Sequence, residues 1–435
     1  MSMTTEWTPK YALLHFAAPT VAGGTNACYE MIEVSRGLFI QKKGSIGVTS
    51  GPHAPKRVGD ELPISQWDVV LNKLLAQGWI LYSTRKMEDK LVTKTVGSFD
   101  GHQFRAEDDA GADAIIHRLW EYSQQEAEDS YTYRIKDISK ERTDDGAVML
   151  AGLREKVEAG TISEAQFNAS LCTYYALVPR RMKRLMTTRL IKAPTAKERM
   201  LKIIQDEEEK LDFLYDQLKS GEVSIDPSKF QTITEIYGLE WTTATPEEQK
   251  YVKGLMDAQN RSHVVGIWKI KNKKTSEKFD KWCKENGISE ENGGISHLWH
   301  GSPSQNWWSI ATNGLWLKPS SSYHGSMFGH GLYFAPESDK SVGYASFGRW
   351  VGNGADNGFL ALNKVATGKP FYYYKEGGSS SDESAAGMKR RGTHCLWAQS
   401  QSHDPSGKSY LYRDEVIVYD DAQTTIEYLV EVERH

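Results

Sequence analysis

Three textures of hydrophobic and polar positions succeed one another along the chain. From about residue 8 to 100, stretches such as "YEMIEVSRGLFIQKKGSIGV" (29–48) alternate apolar and polar residues between glycine breaks. That period of two predicts half-buried antiparallel strands. One segment there changes period: "SQWDVVLNKLLAQGW" predicts a helix with Trp67, Val70, Leu71, Leu74 and Leu75 on one face and Gly78 as its stop. From about 104 to 225 the period is helical. Ser163 with Gln166, and Thr195 with Glu198, have capping-box spacing. Met200, Ile204, Leu211, Leu214 and Leu218 then recur at helical intervals until Ser220-Gly221 closes the run. Beyond about 228, short strand-like runs ("GLYFA", "GFLALNKVATG", "EVIVYDDAQ") alternate with Gly/Ser-rich loops, the longest polar one being "YYYKEGGSSSDESAAGMKRRG". No internal repeat is present. The expectation is an α+β chain in three parts: a small sheet-plus-helix module over 8–103, a short helical domain over 104–227, and a split two-sheet domain over 228–435.

Composition narrows the classes. A chain of 435 residues is too long for one core, and 39% hydrophobic with 25% charged residues is ordinary for a globular protein. The net charge of −4 excludes a global cationic field, so nucleic-acid contact requires a local patch. Cys28, Cys172, Cys283 and Cys395 are far apart and form no C-x-x-C pair, which speaks against a zinc ribbon or a disulfide framework. With no apolar run of membrane-spanning length and no signal-like start, the expectation is a soluble, intracellular protein without membrane partners. "GNGADNG" (352–358) follows no strand and precedes no Gly-Lys-Ser/Thr, and neither H-E-x-x-H nor G-x-S-x-G occurs.

A different set stands out: His300-Gly301-Ser302 in "HLWHGSPSQNWWSI", Tyr333 in "GLYFA", Lys340-Ser341 and Tyr344 just after it, and Glu415 in "YLYRDEVIVYD". Singly, His-Gly reads as a turn and Tyr333 as core. In this order, "LWHGS…NGL…MFGHGLYFA…KS…Y…DEVIVYD" resembles the ADP-ribosyltransferase domain of the poly(ADP-ribose) polymerases over roughly 228–435. "FNASLCTYYALVPRRM" and the helix after it resemble that family's regulatory helical domain in a short form.

The resemblance implies a His300, Tyr333, Glu415 triad and NAD+ as a consumed substrate, with no metal. His300 would bond the adenosine ribose, and the backbone of Gly301 the nicotinamide carboxamide, completed by Ser341. Tyr344 and Tyr333 would enclose the nicotinamide ring, with Ser302, Asn306 and Lys340 further along the NAD+ site. Glu415 would hold the ribose 2′-OH and stabilise oxocarbenium-like charge as the bond to nicotinamide breaks. The implied activity is transfer of ADP-ribose to protein acceptors, the chain itself included, and its elongation to polymer. The rivals are a single transfer to protein or to nucleic-acid ends, and a catalytically silent DNA- or NAD-binding scaffold. The chain departs from the family pattern at Trp316, where Arg is frequent, at His330 for the Lys of "GKG", and at Arg413 for a Tyr. The acceptor side, around Met327 and the loop 374–392, has no counterpart to match, and "SSSDES" there is itself a candidate acceptor.

The first hundred residues resemble a WGR module, with Lys43-Gly44-Ser45 where Trp-Gly-Arg would stand. They hold 11 Lys/Arg and 9 Asp/Glu, 11 − 9 = +2. Lys42, Lys43, Lys56 and Arg57 form a candidate phosphate-contacting patch, so activation by damaged DNA is expected. A second basic run, "PRRMKRLMTTRLIK" (179–192), reads as a helix face with Met182, Leu185, Met186 and Leu190 buried. The remaining expectations are a monomer, nuclear in a eukaryote and cytoplasmic or nucleoid-associated in a prokaryote or virus.

Overall fold

The computed structural model describes residues 8–20, 23–48, 50–86, 98–99, 102–181, 197–221, 229–318, 327–348, 355–373 and 383–434. The chain divides into two compact units, one made of residues 1–93 and 127–215, the other of 94–126 and 216–435. No helix among the described residues is long and apolar enough to cross a membrane.

In the first unit, β1 (Tyr11–Thr20), β2 (Gly23–Ser35) and β3 (Leu38–Ser45) form an antiparallel meander. Two-residue strands β4 (Lys56–Arg57) and β5 (Leu62–Pro63) both pair with β3, and β6 (Ile80–Ser83) pairs with β1. The alternation of 29–48 is thus the β2–β3 hairpin. Ala12, Leu14, Ala27, Met31 and Phe39 cover one face and pack on helix α1 (Trp67–Ala76) through Trp67 and Leu74. Leu75, expected on that face, is 40% exposed, because the flat sheet meets a narrower stripe of the helix than periodicity alone assigns. Gly78, at φ 88°, ends the helix as expected.

Helix α2 (Ala110–Ser130) begins in the second unit; the rest of the first is α3 (Lys140–Glu158), α4 (Glu164–Leu177) and most of α5 (Lys197–Ser220). Ser163 and Gln166 close the capping box at the start of α4. Thr195, expected to form the second capping box with Glu198, lies outside the described residues, as do Met182, Leu185, Met186 and Leu190. Along α5, Met200, Ile204, Leu211 and Leu214 are buried. Two acidic neighbours on α5 are buried with them, each held by an arginine. Glu208 takes a two-pronged bond from Arg154 (2.6 and 3.2 Å), while Glu207 accepts from Arg180 (2.7 Å) and the Tyr175 hydroxyl (3.0 Å). Removing one partner of such a buried pair costs about 3–5 kcal/mol.

The second unit carries two sheets. The larger is antiparallel, in the order β11 (Ile295–Ser302), β13 (Asn357–Ala366), β17 (Thr424–Glu433), β10 (Val264–Asn272), β9 (Leu239–Thr243). Ala112, Ile115, Ile116 and Leu119 of α2 pack on one face of it with Trp307, Trp308 and Ile310 of α10 (Trp307–Asn313). The smaller sheet runs β12 (Leu332–Phe334), β16 (Glu415–Val418), β15 (Cys395–Ala398), β14 (Pro370–Tyr373), with only β14 and β15 parallel. Among the described residues, backbone pairing joins the sheets at one bridge, in which Trp299 and Ala335 exchange both backbone bonds at 2.8 and 2.9 Å. A short ladder, β7 (Ser98–Phe99) with β8 (His102–Gln103), and helices α6 (Ile233–Tyr237), α7 (Pro246–Leu255), α8 (Ala258–Arg261), α9 (Lys273–Asn286), α11 (Ser338–Val342) and α12 (Ala385–Arg391) complete the unit. All four cysteines are buried.

One buried group in the first unit sets a pH dependence. His15 on β1 is fully buried, with Nδ1 on the Ala176 carbonyl (3.2 Å), Nε2 on the Tyr133 hydroxyl (2.8 Å) and Tyr82 stacked on its ring at 4.1 Å. Burial drives its pKa down to about 3, the Ala176 bond opposing this and the Arg142 charge reinforcing it. The folded protein therefore takes up this proton later than the unfolded chain, whose histidine titrates near 6.5. Stability is full above that value and falls by about 1.4 kcal/mol per pH unit as pH drops from there toward 3. Urea unfolding between pH 6.5 and 4.5 is expected to be less steeply pH-dependent in His15→Gln, by about one proton. Equal slopes in the two proteins would refute this assignment.

Candidate active site

The bridge between the sheets fixes the site. Because both backbone groups of Trp299 point to Ala335 on the outer edge of β11, alternation turns those of His300 inward, toward Ala361 of β13. The N–H and C=O of Gly301 face the outer edge again, one donor and one acceptor past the end of the bridge. The tract that reads as a turn in sequence is thus the last part of an eight-residue strand. The glycine is required by a close approach instead of by a bend. A Cβ on it would lie 1.9 Å from the carbonyl oxygen of Ser341 and 2.8 Å from its carbonyl carbon.

His300 donates from Nδ1 to the carbonyl of Tyr333 at 3.0 Å, since a carbonyl only accepts. Burial holds its pKa below 6.5, the bond to Tyr333 notwithstanding, so the ring is neutral with Nε2 left as an acceptor. Tyr333 is fixed at its far end, where its hydroxyl donates to the Gly329 carbonyl (2.8 Å) and accepts from Phe328 N–H (3.0 Å). Burial, aided by the charge of Glu415, raises its pKa, so it acts as a neutral ring.

Glu415 opens β16, next to β12 and its Tyr333. Only 8% exposed, it pairs with the Lys340 ammonium, and its charge also reaches Tyr344. Lys340 and Ser341 lie on α11, which is held at its start by Asp257. The Asp257 carboxylate accepts from Ser338 Oγ and Asp339 N–H, both at 2.9 Å. Ser341 is buried, whereas the Tyr344 ring is 40% exposed at the rim. Ser302 Oγ accepts from Asn306 Nδ2 (3.0 Å), which ties the further positions together at the end of β11. The structure therefore gathers His300, Gly301, Ser302, Asn306, Tyr333, Lys340, Ser341, Tyr344 and Glu415 around the junction of β11, β12, β16 and α11.

Three features have no single-sequence signal. Trp316 is held from below by α5: its Nε1 donates to Asp216 Oδ1 (2.8 Å), Lys318 bonds the other oxygen (2.6 Å), and Lys219 sits 4.0 Å over the ring. Asp414 is buried and accepts from Trp397 Nε1, Ser400 N–H and His403 Nδ1 at 2.7–2.9 Å. Arg413 turns from the cleft to pair with Asp339 at 3.2 Å. Of the loop 374–392, residues 374–382, and with them most of "SSSDES", lie outside the described residues, as do residues 352–354 of "GNGADNG". Among the described residues, no group of three or more His, Cys, Asp or Glu side chains is placed to hold a metal.

In the first unit, Lys42 pairs with Arg57 and Lys43 with Lys56 across the β3–β4 ladder. The candidate patch is therefore contiguous, but alternation puts two of its cations on each face. Lys43 lies 5.6 Å over the Trp79 ring, and Arg57 is 3.5 Å from Glu61.

Such a two-sheet α+β unit, with histidine, tyrosine and glutamate on three neighbouring strands, defines a class that the comparisons identify. Residues 247–434, somewhat under half of the chain, match the poly(ADP-ribose) polymerase catalytic domain. Similar stretches occur in poly(ADP-ribose) polymerase 2 of Homo sapiens, 41% identical over 73 residues, 17% of this chain and 12% of that protein. The Arabidopsis thaliana protein of the same name is 42% identical over 72 residues, 16% of this chain and 11% of its own. Protein mono-ADP-ribosyltransferase PARP3 of Mus musculus is 30% identical over 121 residues, 28% of this chain and 20% of its own. The matched stretches thus span 11–20% of these relatives.

The close approach at Gly301 generates a stability test. Gly301→Ala is expected to lose about 2 kcal/mol or more, because its Cβ must push α11 off β11. An unchanged urea midpoint would mean that the helix yields freely and that the glycine is not a steric requirement.

Proposed function

We propose that the chain is an NAD+-dependent ADP-ribosyltransferase that moves ADP-ribose to protein acceptors and extends it to polymer, releasing nicotinamide. The observation carrying this reading is the meeting of His300, Tyr333 and Glu415 on β11, β12 and β16, beside an open backbone edge at Gly301. On this reading, neutral His300 offers Nε2 to a ribose hydroxyl, and Gly301 gives its N–H and C=O to a carboxamide. Ser341 closes that amide site, and Tyr333 and Tyr344 flank the planar ring. Glu415 acts where charge develops: a carboxylate on the ribose 2′-OH stabilises the oxocarbenium-like transition state more than the ground state. Lys340, paired with that carboxylate, orients it until substrate takes its place.

Glu415 also supports elongation, since a carboxylate there can accept the proton of an incoming hydroxyl. The match to a relative named as a mono-ADP-ribosyltransferase makes single transfer the competing outcome. Residues 8–103 act in this proposal as a WGR-like DNA sensor through the Lys42, Lys43, Lys56 and Arg57 ladder. Like-charged residues directly opposite in a sheet cost stability, which fits a polyanion as their partner. Residues 104–227 act as a short regulatory helical domain.

Labelled NAD+, with and without nicked DNA, followed on a denaturing gel, tests these parts separately. A ladder that requires DNA, and that falls about a hundredfold or more in Glu415→Gln, is the expected result. A ladder independent of DNA removes the sensor, one discrete band replaces polymer with single transfer, and no label with no nicotinamide release refutes the transferase.

A further inference from the structure

We propose that His403, acting through Asp414, is a positioning residue for Glu415, so that the 399–414 hairpin sets the aim of the carboxylate. This rests on the transferase reading above. Between β15 and β16 the chain makes a long excursion without regular structure, yet it is closed at both ends by buried carboxylates. Asp404 gathers Ser406 N–H, Lys408 N–H and Ser409 N–H at 2.6–2.7 Å and makes the tip a fixed turn. Asp414 closes the base: Ser400 N–H at 2.7 Å, Trp397 Nε1 at 2.8 Å and His403 Nδ1 at 2.9 Å converge on it. Glu415 is the next residue. Whatever fixes the Asp414 backbone therefore fixes the first residue of β16, from which the Glu415 side chain reaches Lys340.

The electrostatics explain why one of these donors is a histidine. Three carboxyl groups crowd this end of β16. Glu337, just before α11, is raised above its ordinary pKa, first by burial and also by the Asp414 charge, and its Oε2 is buried without a hydrogen-bond partner. Asp414 is held below the ordinary range against its burial, by the Ser400 amide first and then by Trp397 and His403. His403 is the cation facing both: Asp414 bonds it directly and Glu337 acts on it through space, and both raise its pKa. Arg413, the other nearby cation, is engaged with Asp339. Because the folded pKa of His403 lies above its ordinary 6.5, the charged clamp is complete at lower pH and weakens as pH rises through the folded value. A misplacement of about 1 Å at a reacting carboxylate is enough to cost on the order of a hundredfold in rate.

The test is nicotinamide release by the full-length chain, with kcat and KM for NAD+ measured from pH 6 to pH 9 in wild type, His403→Ala and His403→Asn. His403→Ala is expected to lose about ten- to a hundredfold in kcat while KM changes less than about threefold. His403→Asn, whose Nδ2 replaces the donor but carries no charge, is expected to regain most of that loss. It should also lack the decline that wild type shows toward alkaline pH, a split that loss of packing alone would not produce. Wild-type kcat in His403→Ala overturns the proposal, as does an alkaline decline retained in His403→Asn. An active wild type with an active His403→Ala removes only the positioning role. A wild-type chain that releases no nicotinamide removes the transferase reading and this proposal with it.

Discussion

Everything at the candidate site depends on how little the two sheets touch. One residue of β11 pairs with one residue after β12, through two backbone bonds between Trp299 and Ala335. A longer ladder would have consumed the polar groups of Gly301 two residues on, and no ladder would have let the sheets slide. An exposed strand edge is ordinarily a hazard, because it templates pairing with another chain. Here the edge is short, and the carbonyl of Ser341 on α11 sits over Gly301 too closely for a side chain or a second strand to enter.

That single join also distributes the electrostatics. The His300 ring leans on the Tyr333 carbonyl, so its tautomer is set by the same crossing that sets its position. Behind it, the apolar seam of Leu298, Leu332, Phe334, Val365, Val416 and Val418 keeps water from the inner side. Among the described residues, the carboxylate of Glu415 has Lys340 as its salt-bridge partner. That cation is itself part-exposed, so the ion pair is one of modest worth.

The residues of the site were visible in sequence because their types are uncommon together: a His-Gly in an aromatic tract, a Lys-Ser six residues after Leu-Tyr-Phe, a carboxylate pair before a buried strand. Their surroundings were not visible, for physical reasons. The glycine of His-Gly reads as a turn because sequence cannot display a neighbour 40 residues later whose carbonyl demands the missing Cβ. Asp216 and Asp257 acquire their donors from elements 81 to 102 residues away, which no local pattern displays. The helical stretch was legible from its period, but Glu207 and Glu208 on its buried face were not, since burial there follows from two arginines on other elements. The basic ladder of β3 and β4 was legible as composition; its division between two faces needed the register.

Asp414 and Glu415 carry this lesson to its end. The two are chemically near-identical and adjacent, and nothing in either residue says which one works on substrate. The strand decides. Successive side chains of an extended chain leave on opposite sides, so one carboxylate is delivered to the hairpin and the other to the cleft. The first then finds three donors and becomes a structural anion, held ionised by hydrogen bonds despite its burial. The second, among the described residues, pairs with the Lys340 ammonium. Inverting the order of the pair would keep composition, charge and local propensity while placing the glutamate carboxylate in the hairpin. Two-residue periodicity, combined with what waits on each side, thus gives a duplicated residue type two environments, a hydrogen-bonded anchor and a lysine-paired carboxylate.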